Sequence, residues 1–156
     1  RDKGNAGHFV GASYWGSKQG MNRGVILIEG NAGNETGKRM RRGLIAIKGK
    51  AGDFLGVGMI GGTIFVFSRI GERPGAEMKR GSIVLLQENC STPPALLPTF
   101  AYDCTYNPTF LRVYLKALKE LGLPVKEEYI SGKYRRFNGD IVELGKGEIL
   151  IYEPGI

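Results

Sequence analysis

Gly30-Asn31-Ala32-Gly33-Asn34-Glu35-Thr36-Gly37, Gly49-Lys50-Ala51-Gly52-Asp53-Phe54-Leu55-Gly56 and Ser68-Arg69-Ile70-Gly71-Glu72-Arg73-Pro74-Gly75 repeat one pattern at a constant spacing. Gly24, Gly43, Gly62 and Gly81 keep the same spacing, and so do Met21, Met40, Met59 and Met78. An earlier copy, Gly4-Asn5-Ala6-Gly7-His8-Phe9-Val10-Gly11, precedes Gly30 by one period plus a seven-residue insertion between Gly11 and Met21. A unit this short cannot bury an apolar face alone, so copies at a fixed period predict a stack of repeats.

Each Met-x-x-Gly leads into a short apolar run: Val25 to Ile28, Leu44 to Ile47, Thr63 to Val66 and Ser82 to Leu85. Alternation along these strands sets an inward column Ile26, Ile45, Ile64, Ile83 and a second one Ile28, Ile47, Val66, Leu85. A 19-residue unit is too short for a strand, a full helix and two loops, so the reading is a mainly β chain, a parallel β-helix with glycines at its corners. Leu27, Ala46, Phe65 and Val84 form a column on the other strand face, with Phe67 and Leu86 after it. Strands apolar on both faces are covered on both.

The tail offers one cover. Asn107-Pro108 supplies a cap and a first helical residue, and Gly122-x-Pro124 a stop, predicting a helix over 108–121 with Leu111, Tyr114, Leu115, Leu118 and Leu121 on its buried stripe. Beyond it, Tyr129 to Phe137, an Asn138-Gly139 turn and Ile141 to Leu144 read as a hairpin, and Glu148 to Tyr152 as a last strand. The expected organisation is a β-helix over 1–86, cut short at its N-terminus, a Pro-rich linker from Glu88 to Pro98, and an extension over 87–156 packed on or beside the repeats.

Charge follows the same division. In this chain of 156 residues, the part up to Leu86 holds 19 of the 25 glycines, with 14 Lys/Arg against 6 Asp/Glu, and the rest carries 8 basic and 9 acidic groups. The net charge of +7 therefore belongs to the glycine-rich part and points to an anionic partner. Counting from each Met, position +2 holds Arg23, Arg42, Gly61 and Arg80, and position +1 holds Asn22, Arg41, Ile60 and Lys79; Lys38 and Arg39 add to that edge. Arg23, Arg41, Arg42, Lys79 and Arg80 are the candidate polyanion-binding residues. The bland alternative is a set of solvated long side chains.

Tyr14 and Trp15, in the insertion Ala12 to Gln19, are candidate anchors for a neighbouring subunit, with Leu27, Phe65 and Phe67 on the outer strand face as further interface candidates. The loop folding back over its own repeats is the competing reading. Little catalytic apparatus is visible. His8, the single histidine, occupies a corner position filled elsewhere by Asn34, Asp53 and Glu72, and no metal site of usual composition can be assembled around it. Cys90 and Cys104 fit neither a disulfide scaffold nor a zinc cage, although one bridge between them stays open; a reducing cytoplasm is the expected compartment. No apolar run approaches a membrane span. Nucleic acid is disfavoured because aromatics are not interleaved with the basic column.

The repeated Gly-x-Ala-Gly-x-x-x-Gly followed by Met-x-x-Gly-x-Ile resembles the GXGXG domain found at the C-terminus of the glutamate synthase large subunit and as the C subunit of formylmethanofuran dehydrogenase. The insertion Gly11 to Met21, the step Met40-Arg41-Arg42-Gly43, and the stretches Leu96 to Phe100 and Cys104 to Leu111 resemble the C subunit of the formyltransferase/hydrolase complex of one-carbon metabolism. The likeness runs from Gly4 to about Leu121. It implies a right-handed β-helix and a non-catalytic subunit, with no active site or cofactor in this chain, since formyl transfer and metal-dependent hydrolysis lie in other subunits of such complexes. A methanofuran-like coenzyme with a polyglutamate arm would be a ligand of the assembly, its acidic arm a partner for the basic edge. Two alternatives remain beside it: a purely structural adaptor, and a glutamate-synthase-like GXGXG domain without a ligand of its own.

Overall fold

The protein is described from a computed structural model covering residues 1–87 and 94–155. It is mainly β. Seven strands, β1 (Val25–Ile28), β2 (Leu44–Ile47), β3 (Thr63–Val66), β4 (Arg80–Leu85), β5 (Ala101–Tyr106), β6 (Lys133–Gly139) and β7 (Lys146–Glu153), form one sheet in the order β1-β2-β3-β4-β7-β6-β5. Helix α1 (Thr109–Glu120) and the short α2 (Glu127–Ser131) lie between β5 and β6.

The repeat spacing becomes the pairing register. Ile26, Ile45, Ile64 and Ile83 stand side by side in parallel strands, each one period after the last. Away from the strands, Ala32, Ala51 and Ile70 form parallel bridges with the same offset. A third stretch is tied by Glu35 N–H to the Asp53 carbonyl (2.8 Å) and Phe54 N–H to the Glu72 carbonyl (2.9 Å). The backbone polar groups of one repeat are thus answered by the next.

Glycine is required where repeats meet most closely. Gly43 has φ +104°, and a Cβ there would lie 2.8 Å from the Gly24 carbonyl oxygen. The same turn recurs at Gly62 and Gly81.

Two apolar layers sandwich the strands. On one side lie the columns read from the sequence, continued by Ile149 and Ile151 of β7, with Met40, Met59 and Met78 wholly buried among them. On the other side Leu27, Ala46, Phe65, Val84 and Leu150 pack under Leu111, Leu115 and Leu118 of α1. The tail helix is therefore the cover that the second apolar face called for. Tyr114 and Leu121, expected on the buried stripe, lie instead at its exposed margin, because Leu111, Leu115 and Leu118 already fill the contact with the sheet, while Val113, 71% exposed, faces outward.

Three further expectations for the tail are corrected. Asn107 does not cap α1, because its carboxamide is engaged elsewhere, donating to the Gly132 carbonyl and accepting from the Arg112 guanidinium at 2.8 Å; Pro108 holds the cap position without a side-chain bond. Tyr129 lies in α2, not in a strand. The Asn138-Gly139 pair is not a turn but the end of β6, paired with Glu148 and Gly147, while Ile141 to Leu144 form the turn instead of a strand. Gly139 is there because the Phe100 ring presses against it, leaving a Cβ only 2.5 Å from the ring. β7 runs antiparallel to β6 and parallel to β4, so one sheet joins the repeats to the tail without a break. Residues 88–93, which include most of the expected linker and Cys90, lie outside the described residues, as does the Cys90–Cys104 pairing.

Phe65 is wholly enclosed between the sheet and α1, with its ring edge-on to Tyr114 at 6.4 Å between centres. Replacing it with Ala should lower the unfolding free energy by about 3–5 kcal/mol, whereas Val113→Ala on the exposed side should change it by less than about 0.5 kcal/mol. Equilibrium urea denaturation of the two variants checks the contrast.

Candidate functional site

The basic residues are brought into line by the corners that precede the strands. The Met21 carbonyl accepts from both Arg41 N–H (2.8 Å) and Arg42 N–H (3.3 Å), and the Met59 carbonyl from Lys79 N–H (2.7 Å) and Arg80 N–H (3.4 Å). Between them the Met40 carbonyl holds Ile60 and Gly61 in the same way. One carbonyl thus fixes the backbone of both basic positions in the repeat that follows. The backbone holds the roots of these side chains, and Arg23, Arg41, Arg42, Lys79 and Arg80 are all exposed to solvent.

β7 adds a residue that sequence reasoning missed. Arg80 pairs in register with Lys146, so the +2 column reads Arg23, Arg42, Gly61, Arg80, Lys146. Lys146 was hidden because its register depends on pairing with β4, a strand distant along the chain, and because it lies outside the repeat. Among the described residues none of the four cations in this column makes an ion pair. Neighbouring strands are about 4.8 Å apart, so Arg23 beside Arg42 and Arg80 beside Lys146 are adjacent like charges, with a gap of about two spacings at Gly61. Such a row lowers its own energy by gathering anions, at about 1 kcal/mol per close pair in water and more where water is displaced. Arg41 is partly occupied, donating to Gln19 Oε1 at 3.0 Å.

The interface candidates separate into two groups. Leu27 and Phe65 are buried in the chain's own second core, which corrects the expectation that they meet a neighbour: α1 already covers them. Phe67 is half-buried at the edge of the same cluster, its ring edge-on to Tyr129 at 6.4 Å. Tyr14 and Trp15, in contrast, are almost fully solvent-exposed. The turn residues Ile141, Val142 and Leu144 are a further exposed apolar set that their reading as a strand had concealed.

His8 is built into the corners. Its Nδ1 accepts the Asn34 N–H (2.8 Å), Asn34 Oδ1 accepts the Asp53 N–H (2.9 Å), and Asp53 Oδ1 accepts the Glu72 N–H (2.8 Å), a side-chain ladder from repeat to repeat. Among the described residues no three His, Cys, Asp or Glu side chains converge where a metal ion could be held, and no helix is long and apolar enough to cross a membrane. Cys104 lies beside the Asp103 carboxylate, Sγ 3.7 Å from Oδ2; desolvation and that carboxylate push the thiol above its ordinary value.

A sheet of glycine-cornered repeats in parallel register, with a helix over one face and an exposed basic column along one edge, defines the class: a mainly β chain built from stacked repeats. Comparison with known proteins narrows it. Over 56 residues the chain is 41% identical to the C subunit of the formyltransferase/hydrolase complex Fhc of Methylorubrum extorquens, a match covering 36% of this chain and 21% of that protein. It also superposes with a TM-score of 0.83 and 37% identity on a chain of the X-ray crystal structure of the formyltransferase/hydrolase complex (FhcABCD) from Methylorubrum extorquens in complex with methylofuran. That superposition covers 96% of this chain and 54% of the solved one, so the chain spans about half the length of its structural relative. No protein-family model matches. The chain is similar to part of the Fhc C subunit and to about half of one chain of the solved complex.

The raised thiol gives a direct check on the chemistry at β5. At neutral pH Cys104 is protonated and reacts slowly. Removing the neighbouring negative charge in Asp103→Asn lowers the thiol pKa and raises the thiolate fraction, so alkylation by iodoacetamide in a Cys90→Ser background should quicken by about threefold. Mass spectrometry of the alkylated protein against time measures it.

Proposed function

We propose that this chain is a non-catalytic scaffold subunit of a formyltransferase/hydrolase-type complex, and that its basic column guides the acidic arm of the furan coenzyme carried by such complexes. The observation that carries the reading is the column itself: exposed cations without ion-pair partners among the described residues, held in register by backbone bonds, in a chain similar to part of the Fhc C subunit. The structural relative belongs to a complex with methylofuran, which supplies a furan coenzyme for the assembly. In this reading residues 1–86 wind as a right-handed parallel β-helix and residues 87–156 form the extension that covers it; the three hydrogen-bonded stretches in each repeat support the winding. The other subunits of the complex are its partners, and the cytoplasm its compartment.

A polyglutamate arm is a flexible polyanion, so its hold on the column is electrostatic and screened by salt. The Debye length shortens from ~10 Å at 0.1 M to ~3 Å at 1 M, which sets the range over which the gap at Gly61 can be bridged. The second reading, a purely structural adaptor, draws support from the exposed Tyr14, Trp15, Ile141 and Val142.

Charge reversal separates the two. With Arg42→Glu and Arg80→Glu introduced into the assembled complex, overall formyl turnover should fall by about tenfold at low ionic strength, and the deficit should shrink as salt is added. Unchanged turnover at low salt removes the guiding role and leaves the adaptor.

A further inference from the structure

The loop from Ala12 to Gln19 carries the chain's only tryptophan and is fixed where it leaves the repeats. Ser13 N–H donates to the Lys38 carbonyl (3.2 Å), Gly20 N–H to the Arg39 carbonyl (2.8 Å), and Met21 N–H to the Gly11 carbonyl (2.9 Å). Gly20 returns so close to the neighbouring backbone that a Cβ would lie 2.5 Å from the Lys38 carbonyl oxygen. Above this stem the tip is tied to itself, by Ser17 N–H to the Tyr14 carbonyl (3.0 Å) and Ser17 Oγ–H to the Gln19 carbonyl (2.9 Å). The loop does not fold back over its own repeats: Trp15 is entirely exposed.

Between the loop and the corner of the next repeat runs a groove of about 580 Å³. Phe9, Tyr14 and Trp15 supply its aromatic side and Lys18, Lys38 and Arg39 its cationic side. Lys38 is satisfied within the chain, paired with Glu35 at 2.5 Å and 5.9 Å from the centre of the Phe9 ring. Lys18 and Arg39 have no ion pair among the described residues. The groove therefore offers a large apolar surface and two uncompensated positive charges on a stem that is already ordered, and ordering the binding surface beforehand lowers the entropy lost on association.

We propose that this groove seats an acidic segment of a neighbouring subunit, with carboxylates reaching Lys18 and Arg39 and an apolar or aromatic side chain lying against Trp15 and Tyr14. The inference rests on the reading of the chain as a complex subunit and adds the place and chemistry of one contact. Charge complementarity selects an acidic partner; size selects a short peptide segment, because a groove of about 580 Å³ accepts a few side chains and not a tracked polynucleotide.

The single tryptophan is the probe. The full chain is labelled with 5-fluorotryptophan, giving one ¹⁹F resonance, and combined with the unlabelled remaining subunits of the complex, while size exclusion reports assembly. Burial of Trp15 is expected to abolish the H₂O/D₂O isotope shift of that resonance on assembly. Trp15→Ala, and Lys18→Glu with Arg39→Glu, should each raise the dissociation constant by about tenfold or more, with Trp15→Phe in between. These are surface positions, and circular dichroism verifies that the variants keep the fold. An assembled complex in which the resonance keeps its full isotope shift, or charge reversals that leave the dissociation constant unchanged, overturns this inference while leaving the subunit reading intact. Failure of any assembly overturns both. A resonance that responds to single-stranded DNA and not to the subunits overturns it in favour of a nucleic-acid surface.

Discussion

The backbone hydrogen bonds between one repeat and the next are the constraint on which the rest of the structure depends. A parallel register offset by one full period requires each copy to have the same path, and therefore the same turns at the same places. That requirement puts glycine at 24, 43, 62 and 81, since a methyl group there meets the previous turn or an unfavourable φ. It also converts sequence position into spatial position. Isoleucines one period apart become a column in the core, methionines one period apart fill the space behind it, and arginines one period apart become a row on the surface.

Stacking alone leaves the sheet with one naked apolar face, and the C-terminal residues answer that. α1 lays Leu111, Leu115 and Leu118 over Phe65 and its column, and β7 joins the sheet beside β4. The junction is polar as well as apolar: Glu148 of β7 accepts from Ser82 Oγ (2.7 Å) and pairs with Arg136 Nε (2.8 Å), so a nearly buried carboxylate has a partner on each oxygen. A register shift of β7 against β4 or β6 would part this carboxylate from its partners and leave a nearly buried charge uncompensated, which is costly. Tyr134, buried beneath the same layer, donates its hydroxyl to the Tyr129 carbonyl (2.7 Å) and is pushed above the ordinary tyrosine range by burial.

What the sequence made legible was everything governed by the period. Strands β1, β2 and β3 fall on the residues named from alternation, β4 begins two positions earlier, at Arg80, and α1 follows its Pro108 and Gly122 signals closely. What it concealed depends on contacts without a period. β5 is an edge strand with exposed side chains at its start and no strong alternation, so the sequence carries no strand signal there. Asn138-Gly139 has the composition of a tight turn, but the glycine serves the Phe100 ring. Lys146 enters the basic column only through tertiary pairing. Leu27 and Phe65 show the limit of the argument from composition: two apolar faces demand two covers, and nothing in the strands tells a cover from the same chain apart from one supplied by another.

The in-register corners have one more consequence. Because each repeat advances the edge by one strand spacing, about 4.8 Å, the row of cations is graduated like a ruler, and its length can change only in whole steps. Duplicating one repeat would move Arg23 one graduation away from Lys146 while every bond within and between the remaining units stays as it was. Reach is thus a quantity this architecture can adjust without redesigning a core, and the unmarked graduation at Gly61 shows that single marks can be erased just as independently.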